Sequence, residues 1–127
     1  MYGKWMQSPP FDIGMTTKET LRHCATGDPA KAYHAAKNGG YASNSESNGS
    51  LMRITPMAVW VHRLPYTSVH SAVQADVRFT HGLPSVTNLI TAYTCAIKYL
   101  LNHADDTDRR KGAFKAAEES VERCGDE

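Results

Sequence analysis

Cysteine is scarce and scattered in this sequence. Cys24, Cys95 and Cys124 are odd in number, far apart, and form no Cys-x-x-Cys pair. That spacing argues against a disulfide framework or a thiolate zinc site, and it fits a reducing, cytoplasmic location. The three read as small apolar side chains, with nothing local to support a catalytic thiol. An excess of charge of either sign is also missing: Lys and Arg number 14 against 13 Asp and Glu, for a formal net charge of +1. Without a basic field, neither nucleic acid nor an anionic membrane surface is an expected partner. Long hydrophobic runs are absent, since the cleanest, residues 57–61, falls far short of the roughly 20 residues a membrane helix needs. No apolar segment follows Met1-Tyr2-Gly3-Lys4-Trp5 as a signal peptide would require. Alternation at period two is missing over any strand length, so no sheet is expected. What is present, 127 residues with 41% hydrophobic and 21% charged, describes a globular chain of one-domain size.

The punctuation of the chain predicts short helices joined by turns. Residues 1–15 read as irregular, because Pro9-Pro10 opposes a helix start and Asp12-Ile13-Gly14 reads as a turn. Thr16-Thr17-Lys18-Glu19 has the form of a capping box, with Thr16 at the N-cap and Glu19 at N3, opening a helix to about Cys24. Asp28 and Pro29 start an Ala-rich helix that Gly39-Gly40 stops. Residues 41–50 are small and polar and read as a loop. Leu51, Ile54, Met57, Ala58 and Val61 then recur at helical spacing, with Pro56 interrupting. Thr67 or Ser68 caps a helix striped by Val69, Val73 and Val77. The strongest signal starts at Pro84 and carries Val86, Leu89, Ile90, Tyr93, Ile97, Leu100 and Leu101 through Asn102. A last helix over residues 108–123 sets Ala113, Ala117, Val121 and Cys124 on one side. The expected fold class is all-α.

The stretch Ser47-Asn48-Gly49-Ser50-Leu51-Met52-Arg53 is the most informative for chemistry. Asn48-Gly49 suits a tight turn with positive φ, and Gly49 carries no Cβ to block close approach. The first N–H groups of the helix expected beyond it, with its dipole, make a site for a phosphate or pyrophosphate, with Arg53 one turn in. The structural alternative is a capped helix after a turn. Thr80-His81-Gly82 ends one helix, and His81 can serve as an acid, a base or a donor to an oxyanion near neutral pH; the alternative is a helix-end histidine favoured by the dipole. Asp105-Asp106-Thr107-Asp108 offers oxygen ligands of the kind hard cations take, but it reads better as the cap of the following helix. His23, His34, His62, His70 and His103 show no metal-site spacing. The mixed charges after Lys111 describe a solvated helix face.

Three motifs, Phe11-Asp12-Ile13-Gly14-Met15-Thr16-Thr17, then Ser47-Asn48-Gly49-Ser50-Leu51-Met52-Arg53-Ile54-Thr55-Pro56, then Thr80-His81-Gly82, resemble the ADP-ribosylglycohydrolase family in order and spacing. The resemblance implies an all-α, compact multi-helix fold with a cleft for ADP-ribose and a pair of magnesium ions. It further implies ADP-ribose or an ADP-ribosylated protein as partner. On the matching positions it implies that Asn48, Gly49, Ser50, Met52, Arg53, His81 and Asp12 contact the nucleotide. The expected activity is hydrolysis of the N- or O-glycosidic bond of an ADP-ribosylated protein or small acceptor by the complete enzyme.

The departures from the family pattern are large. Family members are much longer, and this sequence resembles their middle portion, so residues 1–127 read as a partial domain. The family's N-terminal and C-terminal metal motifs have no counterpart here, and Asp105-Asp106-Thr107-Asp108 resembles the latter in letters only. Ser47 stands where the family usually has Gly. No catalytic or metal-binding residue is therefore assigned. The chain reads as part of a hydrolase completed by flanking segments or a complementary chain. The alternatives are a catalytically inactive ADP-ribose-binding remnant and a crystallin-like structural relative.

Overall fold

A computed structural model describes residues 1–125, and every regular element among them is helical, as expected. In chain order these are α1 (Tyr2–Gln7), α2 (Met15–Ala25), α3 (Pro29–Asn38), α4 (Gly40–Ser43), α5 (Thr55–Trp60), α6 (Val69–Val77), α7 (Pro84–Asn102) and α8 (Arg109–Gly125), with 3-10 turns at Leu51–Arg53, Val61–Arg63 and Tyr66–Ser68. The chain forms two units, Met1–Ser50 with Asp76–Val86, and Leu51–Ala75 with Thr87–Glu127. No described helix is long and apolar enough to cross a membrane.

In the first unit, α1 packs on α2, and α2 packs on α3 and α4. Helix α1 corrects the expectation of an irregular start. Its backbone lies so close to α2 that a Cβ on Gly3 would overlap the Cys24 carbonyl oxygen. The Tyr2 hydroxyl bonds the Asp76 carboxylate, and Gln7 Nε2 donates to the Ala25 carbonyl at 3.0 Å. These tertiary ties hold six residues that could not stay helical alone, and Pro9-Pro10 lies just beyond them.

The capping box does not form. Helix α2 is entered through Gly14 in extended conformation without a side-chain cap. Thr16 Oγ1 instead lies 2.7 Å from Ser45 Oγ, and Glu19 Oε2 accepts the Ala42 N–H at 3.1 Å. Both side chains find partners distant in sequence, which no local rule anticipates. Asp28 does cap α3, its Oδ1 accepting the Lys31 N–H at 3.1 Å. That backbone bond, then the Lys31 ammonium, holds the Asp28 carboxyl below the usual carboxylate range. Ala32 and Ala36 are fully buried, and their small side chains make α3 a surface that other backbone can approach closely. Gly39 ends α3 as expected, but the polar loop after it begins with the extra helical turn of α4.

In the second unit, the helix expected over 51–61 is broken into a 3-10 turn, α5 and a second 3-10 turn. Pro56 sits in the first turn of α5, where its missing N–H has no intrahelical acceptor to lose. Ile54, Ala58 and Val61 are nevertheless buried, and Leu51 and Met57 half-buried, so the apolar face persists although the helix axis is interrupted. The bounds of α7 match expectation. Helix α8 turns Ala113, Ala116 and Ser120 inward and leaves Val121 49% exposed, so its buried face is rotated from the expected one. The cause is the meeting with α7, where Gly112 lies against the Tyr99 ring so closely that a Cβ would overlap it.

Helix α7 is apolar on two sides. Val86, Ile90 and Cys95 are buried, while Leu89 is 65%, Tyr93 39% and Leu101 44% exposed. Apolar side chains left exposed on the second side can bind other apolar surface. The purified chain is expected to bind a hydrophobic reporter dye and to unfold over a broad temperature range. A dye-negative monomer with a sharp transition would contradict that.

Candidate functional site

The described residues bring parts of all three motifs together, within the first unit, around His81. The chain leaves α6 through a turn in which the N–H groups of Thr80 and His81 both donate to the Val77 carbonyl, at 3.0 and 2.9 Å. This turn buries the imidazole to 1% exposure. Its Nδ1 lies 2.8 Å from Thr80 Oγ1 and its Nε2 lies 3.0 Å from Ser47 Oγ. Ser47 Oγ also lies 3.4 Å from Thr16 Oγ1, and the Ser47 N–H donates to Ser45 Oγ at 3.3 Å. A continuous chain of hydroxyls and one imidazole thus runs from exposed Ser47 into the interior.

Gly49 sits beside this chain, for a reason other than the one expected. Among the described residues the one positive-φ glycine is Gly27, at 81°, so the Asn48-Gly49 turn does not need left-handed backbone. A Cβ on Gly49 would instead lie 2.9 Å from Thr17 Oγ1 and 3.7 Å from His81 Cε1. Close approach, not conformational freedom, calls for glycine here. The helix-dipole argument also fails. Leu51–Arg53 is a 3-10 turn of three residues, which has no array of aligned peptides to build a dipole.

The expected site residues fare unequally. Asn48 is exposed and Gly49 half-buried. Ser50 is fully buried, and its Oγ has no hydrogen-bond partner among the described residues. Met52 is 75% exposed and Arg53 half-buried, and both belong to the second unit. Asp12 lies exposed in the segment between α1 and α2. Gly49 and His81 are the pair brought together. Ser47, Thr16, Thr17 and Thr80 join them and were not anticipated. Thr16 and Thr17 close the first motif and Ser47 opens the second; the available signal was their place in the motifs, which the capping reading obscured.

The remaining candidates carry less chemistry. No group of three or more His, Cys, Asp or Glu that could hold a metal occurs among the described residues. In the 105–108 turn, Asp106 Oδ1 accepts the Asp108 N–H at 2.8 Å and Asp108 pairs with Lys111 at 3.1 Å. Arg109 and Arg110 line the same depression as Asp105 and Asp106. Carboxylates already engaged and flanked by cations do not fit a pair of divalent ions. Burial pushes the Cys24 and Cys95 thiols up, so neither favours the thiolate that nucleophilic chemistry needs. His62 and His70 bond the Val59 carbonyl and the Asn88 side chain, at 2.6 and 3.3 Å, and His103 stacks on Tyr99 at 3.9 Å.

Comparison with known proteins agrees with the motifs. The sequence model of the ADP-ribosylglycohydrolase family matches residues 1–126. A protein of Acanthamoeba polyphaga mimivirus, named as an ADP-ribosyl glycohydrolase, is 34% identical over 97 residues. The match covers 72% of this chain and 28% of that relative, so the chain spans little more than a quarter of the relative's length. No solved structure matches the chain.

Proposed function

Because the chain belongs to the ADP-ribosylglycohydrolase family, we propose that it forms the nucleotide-contacting part of a hydrolase acting on ADP-ribosylated substrates, and that ADP-ribose is held at the Ser47–Gly49 turn beside His81. The observation that carries this reading is the convergence of the Asn-Gly-Ser and Thr-His motifs on one place. Ser47 bonds the His81 ring and Gly49 approaches it without a Cβ. Serine and threonine hydroxyls are donors suited to phosphate oxygens, and the orphaned Ser50 Oγ would gain from a ligand or water reaching it. Asn48 is exposed and free to turn toward a ribose or phosphate, whereas Met52, Arg53 and Asp12 enter only through the family resemblance. Cleavage of the N- or O-glycosidic bond belongs to the complete protein. The carboxylates that would hold the two implied magnesium ions are to be sought in flanking segments or a complementary chain.

Calorimetric titration tests the binding part. ADP-ribose is expected to bind and adenosine to bind less well, since the hydroxyls act on the phosphates. Gly49→Val should lose binding, because its branched side chain would meet Thr17 Oγ1 and the imidazole where the ligand is placed. Loss of one charge-assisted hydrogen bond of about 1.5–3 kcal/mol is roughly a tenfold to hundredfold loss of affinity. Equal affinity for adenosine and ADP-ribose, or normal binding by folded Gly49→Val, would remove the turn from this account.

A second reading, binding without turnover, is favoured by the engagement of Asp106 and Asp108 within their own turn. On that reading the chain alone releases no ADP-ribose from a modified protein. Release that needs magnesium and stops with chelator would overturn it.

A further inference from the structure

We propose that Ser47 is a reactive hydroxyl, a nucleophile toward small activated acyl esters, with His81 as its base and Thr80 as the positioning residue for the ring. The inference is independent of ADP-ribose binding and rests on the Ser47–His81–Thr80 geometry. An activated serine needs a base within hydrogen-bond reach and a third group that orients the base. Both are present: Ser47 Oγ lies 3.0 Å from His81 Nε2, and His81 Nδ1 lies 2.8 Å from Thr80 Oγ1.

The proposal takes the ring tautomer that carries its proton on Nδ1. Thr80 Oγ1 lies 3.4 Å from the Val77 carbonyl, which can only accept. With the Thr80 proton directed there, the hydroxyl receives the ring proton on Nδ1, and the lone pair on Nε2 faces Ser47. The other neighbour of Ser47 Oγ, Thr16 Oγ1, is farther at 3.4 Å, is a weaker base, and is itself engaged with Ser45 at 2.7 Å. Ser47 is an exposed residue whose hydroxyl bonds are part-buried, while its base is 1% exposed, so the proposal places the ester at the outer side of the Ser47 oxygen and the ring stays fixed behind it.

The step balances without any further reactant. The Ser47 oxygen attacks the ester carbonyl carbon, the new O–C bond forms, and the hydroxyl proton passes to His81 Nε2. The tetrahedral adduct collapses with cleavage of the carbon–oxygen bond to the leaving phenol, which takes the proton back from Nε2. Acyl-Ser47 is the product, and water can later hydrolyse it with the same nitrogen as base.

The chain contains its own controls. Ser8 and Ser71 are exposed, but their hydroxyls donate to the carbonyls of Trp5 and Ser68 at 2.7 and 3.1 Å, with no hydrogen bond to a base among the described residues. On treatment with p-nitrophenyl acetate, peptide mass mapping should find acetyl on Ser47 at least about a hundredfold faster than on Ser8 or Ser71, the scale of general-base assistance. Ser47→Ala, at an exposed position, should fold normally and abolish that label. Thr80→Val, which cannot accept the Nδ1 proton, should slow it about tenfold or more, and Thr80→Ser should restore it. Acetylation of Ser47 no faster than of Ser8 and Ser71, or a Thr80→Val rate equal to the parent, would overturn the proposal. Adding ADP-ribose separates the two readings. Protection of Ser47 supports the nucleotide site, whereas labelling without protection removes that site and leaves the reactive serine standing.

Discussion

Gly82→Ala is expected to lower the stability of the first unit by about 2–3 kcal/mol, the cost of the backbone shift forced by a methyl group that has no room against α3. Gly82 follows His81, and its backbone lies directly on α3. A Cβ there would overlap the Ala36 carbonyl oxygen and sit 3.0 Å from Lys37 Cα. Both obstacles are backbone atoms, so no side-chain rotation relieves the clash. Either α3 or the Thr80-His81-Gly82 turn must move. The glycine has no positive φ, which makes the cost steric rather than conformational. For a unit of this size roughly 4–8 °C is lost per kcal/mol, so thermal unfolding followed by circular dichroism should show a fall of about 10 °C or more. Gly14→Ala is the control, because nothing lies within 4 Å of its Cβ position. It should change stability by only a few tenths of a kcal/mol or raise it slightly. Equal melting temperatures for Gly82→Ala and the parent chain would mean that the turn does not lie on α3 as described.

Lys98→Met should destabilise the second unit by about 2–3 kcal/mol, through hydrogen bonds rather than packing. Lys98 is 4% exposed, and its Nζ donates to the carbonyls of His62 and Leu64, each at 2.6 Å. It also lies 4.7 Å from the centre of the Tyr66 ring. A buried ammonium is tolerated only where such acceptors replace its lost water. Methionine preserves most of the volume but leaves the Leu64 carbonyl without this donor. Asn102 supplies the comparison, since its Nδ2 donates to the same His62 carbonyl at 2.8 Å. Asn102→Ala should cost less, about 0.5–1.5 kcal/mol, because Lys98 still serves that oxygen. Urea denaturation of the two variants gives the test. If Lys98→Met is as stable as the parent, the two bonds do no more than offset the cost of burying the charge.

Much was legible in the sequence alone. Asp28 before Pro29 starts α3, Pro84 and Asn102 bound α7, and Val69, Val73 and Val77 are all fully buried. These features depend on short-range rules, namely the capping of free N–H groups, the fixed φ of proline and the 3.6-residue period, so they can be read within a single segment. The all-α class and the family motifs follow from the same local information. Tertiary structure decided the rest, wherever a residue's partner lies far along the chain. Thr16 and Glu19 have the letters of a capping box, yet they bond Ser45 and Ala42 instead. Tyr2–Gln7 is too short to be helical by propensity and is held by α2 and Asp76. Gly49 suggested a left-handed turn, but its φ is not positive, and what crowds a Cβ there is the Thr17 hydroxyl, 32 positions away, at 2.9 Å. The contact between Ser47 and His81, 34 positions apart, is of the same kind. Local sequence constrains which backbone conformations are cheap, while only the folded chain decides which distant groups must share a hydrogen bond or a van der Waals gap. The chemistry proposed for this protein lies in those distant pairings.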